Sequence, residues 1–499
     1  MSEPAPQIEG LVAGPVDPQL SEWQRLDPRM LLVHPVQEIT RFLVPLVAVF
    51  IAGRASGGGA PWELLGVLFP IALGLMRYLT TSFRIAGGRV ELRRGLLDRH
   101  VLSTPLDRVR TVDLTASPIH RLLGLTTLRI GTGIAAPGED NELDLDGLPT
   151  ERARALRADL LHAAPIAGGD PDAGSAPEPA VLTLDLAWLR FAPLTSSGVV
   201  VTAGLVGAAA QVLSTAGEGV EVDSRSWDLG VPGWTVLALG ALVVVVLVSA
   251  VSVAGYLVTN WGFSLSRGRG AWHLRRGLVT TRETSLDESR VAGVTVSEPL
   301  GLRLAGGGRL SAIVTGLGSG QGGSSILVPP APRDVLERVA GVVLGNDAPV
   351  HAPLTGHGPA AQRRRWTRAV GGGVVLAGLV AVGVVLAGGG WWAVLGLGLP
   401  LLALPLAADR VRSLGHTLSD GYVVARSGSL ARRRDHLDVD DVIGWNLRAT
   451  WFQRRVGLTS LVATTAGGRQ SVTILDVPEP LAVALADATL PHVVRQFLA

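Results

Sequence analysis

Arginine is the residue type in this sequence with the clearest capacity for chemistry. It recurs in three clusters: Arg89, Arg93 and Arg94; then Arg267, Arg269, Arg275 and Arg276; then Arg432, Arg433 and Arg434. A guanidinium presents a planar fork of donors that matches a phosphate or carboxylate in bidentate fashion. Each cluster follows a long apolar stretch, so anionic lipid headgroups are the ligand class these positions suggest. The plainer reading is topological, because arginines gather on the cytoplasmic flanks of membrane helices whatever else they do. No lysine occurs, which excludes a Walker A lysine, a Schiff base and a protein-kinase lysine. No cysteine occurs either, which excludes disulfides and thiolate metal sites.

Other groupings offer less. The glycine loop from Gly316 to Gly323 could pass for a phosphate cradle, but no helix follows it directly and it lies between two strand-like runs. A flexible hairpin connection is the better reading. Asp438, Asp440 and Asp441 alternate as calcium or magnesium ligands can, yet no loop glycine or closing glutamate stands in register. A solvated turn before a strand accounts for them. His351 and His357 sit six residues apart in a Pro- and Gly-rich stretch, a poor spacing for a metal site. No Ser or Thr stands in a G-x-S-x-G elbow. The sequence therefore predicts no catalytic residue, no cofactor-binding residue and no metal site, and no nucleic-acid partner.

The elements that position the arginines are apolar helices. The chain has 499 residues, 47% of them hydrophobic and 17% charged, with a formal net charge of +2. A helix needs roughly 20 apolar residues to cross a bilayer. Six stretches qualify, in three close pairs: about 39–54 with 62–80, 191–214 with 232–258, and 369–388 with 391–408. Small residues such as Gly204 with Ala208, and Ala393 with Gly396, suit close helix packing. The flanks outside the pairs hold Arg41, Arg77, Arg84, Arg190, Arg267, Arg363, Arg364, Arg365, Arg368, Arg410 and Arg412. The loop within the second pair carries Glu218, Glu221, Asp223 and Asp228 against Arg225 alone. The arginine bias puts both termini and the intervening domains in the cytoplasm of a bacterial inner membrane. Residues 1–38 read as a cytoplasmic tail without a signal-peptide pattern. The remaining boundaries are a hairpin at 39–80, a β-domain at 81–163, a linker at 164–190, a hairpin at 191–258, a β-domain at 259–345, a linker at 346–368, a hairpin at 369–408 and a β-domain at 409–499. The linkers, rich in Pro, Ala, Gly and Asp, read as flexible spacers.

The three β-stretches repeat one pattern without gaps. Gly95, Val109, Arg121, Gly124 and Leu128 correspond to Gly277, Val291, Arg303, Gly306 and Leu310, and to Gly428, Val442, Arg454, Gly457 and Leu461, with spacings of 14, 12, 3 and 4 each time. In the first stretch, strands are expected at Ser82–Ala86, Val90–Arg94, Asp98–Thr104, Val109–Thr115, Thr126–Thr132 and Glu142–Leu148. Gly87 and Gly88 mark a hairpin turn. Alternation over 109–115 is imperfect, so its buried face is ambiguous. Pro118–Leu123 reads as a helical turn, and Thr150–His162 as an amphipathic helix with Thr150 at its cap.

On these motifs the chain resembles the bacterial PH-domain membrane proteins of the YdbS/YdbT-like group. The residues that carry the resemblance are Gly95-Leu96-Leu97, Arg108-Val109 and Arg121-Leu122-Leu123-Gly124-Leu125, then Gly428-Ser429-Leu430, Val442 and Arg454-Arg455-Val456-Gly457-Leu458. The middle stretch keeps Arg303 and Gly306 but continues with Gly307 and Gly308. The resemblance implies a membrane α+β protein: six transmembrane helices in three hairpins, each hairpin followed by a small PH-like β-barrel or sandwich with a C-terminal helix. It also implies a role in envelope stress or antimicrobial-peptide tolerance, and a smaller PH-like membrane protein as partner.

The functional expectation is a non-enzymatic scaffold at the cytoplasmic face, in contact with the lipid bilayer and its anionic headgroups. Two other classes stay open. A transport or lipid-translocating conduit predicts a groove through the six-helix bundle. A lipid-headgroup enzyme predicts convergent polar residues where membrane meets cytoplasm.

Overall fold

The computed structural model of the chain describes residues 23–33, 72, 75, 76, 78–86, 89–94, 100–105, 111–131, 143–162, 180–195, 204, 207, 233–268, 270–315, 326–388, 398–467 and 470–491. The chain divides into two compact units. One comprises Met1–Glu178 with Arg267–Arg275 and Val279–Glu288; the other comprises Pro179–Ser266, Arg276–Leu278 and Ser289–Ala499. The middle β-stretch is thus shared between them.

In the first unit, β1 (Gln24–Arg25), β2 (Ser82–Ala86), β3 (Arg89–Arg94) and β4 (His100–Pro105) form one sheet in that order. Along β2, Phe83 and Ile85 point inward while Ser82, Arg84 and Ala86 are half-exposed, the period-2 pattern of a strand with one buried face. Ala86 stands opposite Arg89, so β2 and β3 form the hairpin that the glycine pair predicts. A second sheet runs β7 (Leu143–Pro149), β6 (Leu125–Gly131), β5 (Thr111–Ala116), β11 (Thr281–Asp287), β10 (Ala271–Arg276). Between β5 and β6 lies helix α1 (Pro118–Leu123), and helix α2 (Thr150–His162) follows β7. The hydroxyl of Thr150 donates to the Gly124 carbonyl at 3.0 Å, so it ties the helix start to the motif glycine.

The core of this unit joins Phe83, Val90, Leu92, Val112, Leu114, Leu128, Leu145 and Leu156. Leu26, Met30 and Val33 belong to it as well. Residues 24–33 are therefore not part of a free tail: their apolar side chains complete a core that the sheets leave open. The ambiguous face of 109–115 is also explained. Val112 and Leu114 face the core, but Asp113 is buried too, because β11 lies along its strand and sets Thr284 opposite it.

In the second unit, β8 (Ala180–Thr183) pairs with β9 (Ser264–Gly268) through Ser264–Ser266. A 3-10 helix follows at Leu186–Leu194, with the Asp185 side chain accepting from the Ala187 amide at 2.8 Å. A six-stranded sheet runs β14 (Ile326–Pro332), β13 (Gly307–Val314), β12 (Val291–Pro299), β17 (Ala431–Asp438), β16 (Tyr422–Ser427), β15 (Gly415–Ser419). A three-stranded sheet holds β18 (Gly444–Arg448), β19 (Leu458–Thr464) and β20 (Ser471–Pro478). Helices close the two stretches at Arg333–Leu344 and Glu479–Thr489. Val423, Leu437, Leu461, Ile474 and Leu485 lie in the shared core of the last stretch.

The repeated motif has one local geometry in all three stretches. Gly124, Gly306 and Gly457 each adopt a left-handed conformation, with φ of 69°, 75° and 64°. Each amide donates to the carbonyl of the motif arginine, and each carbonyl accepts from the first residue of the closing helix: Thr150, Arg333 and Glu479. Leu128, Leu310 and Leu461 are fully buried. The Gly307-Gly308 departure has a steric cause, since a Cβ at 307 would meet the ring of Phe191 from the 3-10 helix.

Two described helices are long and apolar enough to cross a membrane, within Gly233–Asn260 and Gly358–Leu386. They overlap the expected spans 232–258 and 369–388. The other expectations fare differently. Spans 39–54 and 62–80 lie largely outside the described residues. The span drawn from residue 191 cannot begin there, because Phe191 and Ala192 are fully buried in the 3-10 helix. For 391–408 the described part is the helix Gly398–Arg412, and residues 391–397 lie outside the described residues. Six spanning helices are thus not what the described residues hold. The stretch 346–368 is no free spacer: Pro349 and Val350 are buried in a helical turn, Thr355 bridges to His416, and the long helix starts at Gly358. The glycine loop 316–323 lies outside the described residues, and the strands it joins, β13 and β14, pair antiparallel.

Candidate functional site

The apolar helices are joined to the β-structure of the second unit by buried charge. The helix Gly358–Leu386 begins with arginine-rich turns before its apolar run. Arg364 and the Gln453 amide donate to Asp476 Oδ1 at 2.5 and 2.8 Å, and Arg365 forms an ion pair with Oδ2 at 2.8 Å. Asp476 is 1% exposed and holds a positive φ of 55° at the end of β20. Two guanidiniums thus neutralise one buried carboxylate while hydrogen bonds reach one of its oxygens, and such pairing is the condition under which a buried charge is tolerated.

A second joint forms at the end of the helix Gly398–Arg412. Asp409 accepts from Arg303 at 2.9 Å and from Arg432 at 2.7 Å. Burial works against its charge, but hydrogen bonds from Arg303 and Ser429 and the nearby Arg432 guanidinium outweigh it and hold its pKa below the ordinary value. Arg303 also donates to the Ser429 carbonyl at 3.1 Å.

Beside the first joint sits a histidine pair. Nε2 of His357 and Nδ1 of His416 lie 2.8 Å apart, and His357 Nδ1 lies 2.8 Å from the Leu475 carbonyl. Burial, with His357 adding to it, pushes His416 down to about 4. His436, on β17, is fully buried and is pushed to about 4 by burial and by Arg434. The rings are neutral members of the core. Among the described residues no group of three metal-ligating side chains converges. Asp438 accepts from the Asp440 amide at 3.0 Å, so that acidic cluster is a turn.

The helix Gly233–Asn260 enters the second unit beside a cavity of about 470 Å³, lined by Ser252, Tyr256, Asn260, Arg276, Leu302, Arg309 and Pro330 among others. The Tyr256 hydroxyl donates to the Pro330 carbonyl at 2.9 Å and fixes the helix to β14. In the first unit a smaller pocket of about 260 Å³ collects Arg121, Arg154, Arg275 and Glu283.

The arginines expected to meet headgroups fall into distinct settings. Arg89 is exposed and donates to Ser103 at 3.0 Å. Arg93 lies over the Trp23 ring at 5.5 Å. The side chain of Arg94 and the whole of Arg269 lie outside the described residues. Arg267 is paired with Glu288 and lies over Trp272. Arg275 is 65% exposed with Glu283 at 3.6 Å, and Arg276 lines the larger cavity. The third cluster turns inward: Arg432 to Asp409, Arg433 to Asp435 at 3.9 Å, and Arg434 to the carbonyls of Pro349 and Ala352 at 3.3 and 2.9 Å. Asp409 and Asp476 are absent from the sequence expectations. A lone acid at the end of an apolar run flanked by arginines is a signal for Asp409; Asp476 leaves none.

Residues 34–164 and 372–488 match the bacterial PH domain family. The chain is a bacterial PH-domain protein in which the domain is repeated. Both matched regions include residues of an apolar stretch as well as the β-strands and closing helix that follow it. No curated protein and no solved structure matches the chain.

Proposed function

We propose that this protein is a non-enzymatic membrane scaffold that holds three PH-like domains at the cytoplasmic face, the middle one formed by residues 259–345. One observation carries the reading. The helix runs at 238–260 and 369–386 are apolar around their whole circumference, and only 12% and 6% of the most apolar windows of their helices are buried. A helix that is hydrophobic on all sides and uncovered needs an apolar solvent; leaving each Leu or Val in water costs about 1.5–3 kcal/mol. The ion-paired joints at Asp476 and Asp409 tie helix direction to domain position, as a scaffold requires. No Asp, Glu, Arg or His stands within 238–260 or 369–386, which favours an anchor over a conduit. The remaining apolar stretches complete three hairpins in this reading, with both termini in the cytoplasm. Among the described residues of the three clusters, Arg89, Arg267 and Arg275 are exposed and can face anionic headgroups, and a smaller PH-like membrane protein is a partner consistent with the family.

The test is alkaline extraction of membranes combined with labelling by an impermeant maleimide. The cysteine-free chain makes single substitutions clean reporters. The chain should stay in the pellet, Asp440→Cys should be shielded in intact cells, and Asp223→Cys should label. Release into the supernatant, or labelling of Asp440→Cys from outside, would sink the reading.

A further inference from the structure

Each β-stretch contributes two strand groups, and each group has one outer edge suited to a neighbour. In the first unit, β5 of the first stretch pairs antiparallel with β11 of the second. In the second unit, β12 of the second stretch pairs antiparallel with β17 of the third. The two junctions share one register when the repeat is used as the ruler. Thr284 opposes Asp113 in one, and Asp435 opposes Thr295 in the other. Asp113 and Thr295 are equivalent positions of the repeat, as are Thr284 and Asp435. A junction of this type is therefore a property of the repeat and was built twice.

Three such stretches joined by two junctions leave one half-junction over in the first stretch and one in the third. These are the outer edges of β4 and β18. Each is the terminal strand of its sheet, and no described strand covers it. The exposures match that vacancy. Val296 of β12 and Leu114 of β5 are buried at their junctions, whereas their counterpart Leu447 on β18 is 44% exposed. On β4, Val101 is 51% exposed. Natural sheets usually blunt such an edge with proline, a bulge or inward charge; β18 has neither proline nor a register shift.

We propose that β18 of one chain pairs antiparallel with β4 of a second copy of the chain, repeating the internal junction between molecules. The common register sets Asn446 opposite Leu102, and therefore Leu447 opposite Val101, two exposed apolar side chains brought face to face. The contact is heterologous, so each copy offers one β18 and one β4, and assembly proceeds head to tail. A strand pair of this length buries far less than the roughly 1,200 Å² of a stable interface in solution. Confinement in a bilayer supplies the effective concentration that closes the gap. The pairing itself is argued from the sheet edges, and its strength rests on the membrane location of the scaffold reading, which extraction and labelling test separately.

The experiment is disulfide crosslinking in native membranes between two differently tagged full-length chains. One carries Val101→Cys and the other Leu447→Cys, both at exposed positions where substitution is tolerated. Mild oxidation should give a covalent dimer bearing both tags, and neither chain alone should give it. Asn446→Cys in place of Leu447→Cys points to the opposite face of the strand and should crosslink about ten-fold less. Three results would overturn the proposal: no mixed dimer despite normal membrane levels of both chains, equal yield from Asn446→Cys and Leu447→Cys, or crosslinking only within one chain carrying both cysteines. A band joining either chain to a different protein in place of the mixed dimer would overturn it too.

Discussion

Phe191 lies over Gly307 so closely that a methyl carbon at position 307 would sit 2.4 Å from its ring. The aromatic ring takes the place that a side chain on β13 would fill. Gly307→Ala should therefore destabilise the second unit by about 1–3 kcal/mol, the usual cost of overpacking a tight site. Phe191→Ala alone should cost about 3–5 kcal/mol through the cavity it leaves. The two together should cost less than their sum, because the alanine methyl enters space the ring has vacated. Denaturant titration of the detergent-solubilised chain reads all three; strict additivity would argue against the contact.

Asp476 compensates two half-buried guanidiniums. Asp476→Ala leaves Arg364 and Arg365 without their counter-charge and should cost about 3–5 kcal/mol. Asp476→Asn should be milder, since asparagine tolerates the positive φ of this position and keeps an acceptor for Arg364. If both variants melt with the parent, the joint is not a structural element.

Acid should loosen the second unit before it affects most carboxylates. His416 and His436 are held near 4, below the ordinary histidine value of 6.5. Between those values the unfolded chain binds protons that the folded chain refuses. Their contribution is complete above pH about 6.5 and is lost as pH falls toward 4. At roughly 1.4 kcal/mol per pKa unit, this amounts to on the order of 3 kcal/mol for each ring. Melting temperature measured from pH 7.5 to 5 should fall, and His436→Leu should flatten the slope. A flat profile in the parent would refute the assignment.

Met30 has no exposed surface and fills the core of the first unit. Met30→Ala should cost about 2–5 kcal/mol, and removal of residues 1–33 should expose the strands of that core to proteolysis. A truncated chain with parental protease resistance would show that the segment only rests on the surface.

Much of the β-structure was legible beforehand because its causes are local. Phe83 and Ile85 alternate with half-exposed neighbours, Ala86 pairs with Arg89 across the predicted hairpin, and Pro118–Leu123 ends at a glycine that takes a left-handed turn. The long apolar runs at 238–260 and 369–386 were legible for the same reason, since length and composition are properties of the segment itself. The candidate site was less so. Arg432, Arg433 and Arg434 read as a surface cluster, yet Asp409, Asp435 and the carbonyls of Pro349 and Ala352 draw them inward.

The sequence by itself determined the repeat, the strand order within each stretch and the presence of apolar helices too long for ordinary soluble packing. Only the tertiary structure decided which strands become neighbours across stretches. It made β5 the partner of β11 and β12 the partner of β17, drew residues 24–33 into a core, and set Asp476 between two arginines. The physical reason is that backbone hydrogen bonding is indifferent to sequence. A strand edge accepts any partner of matching length and twist, and the choice is made by the burial and charge that the assembled neighbours supply.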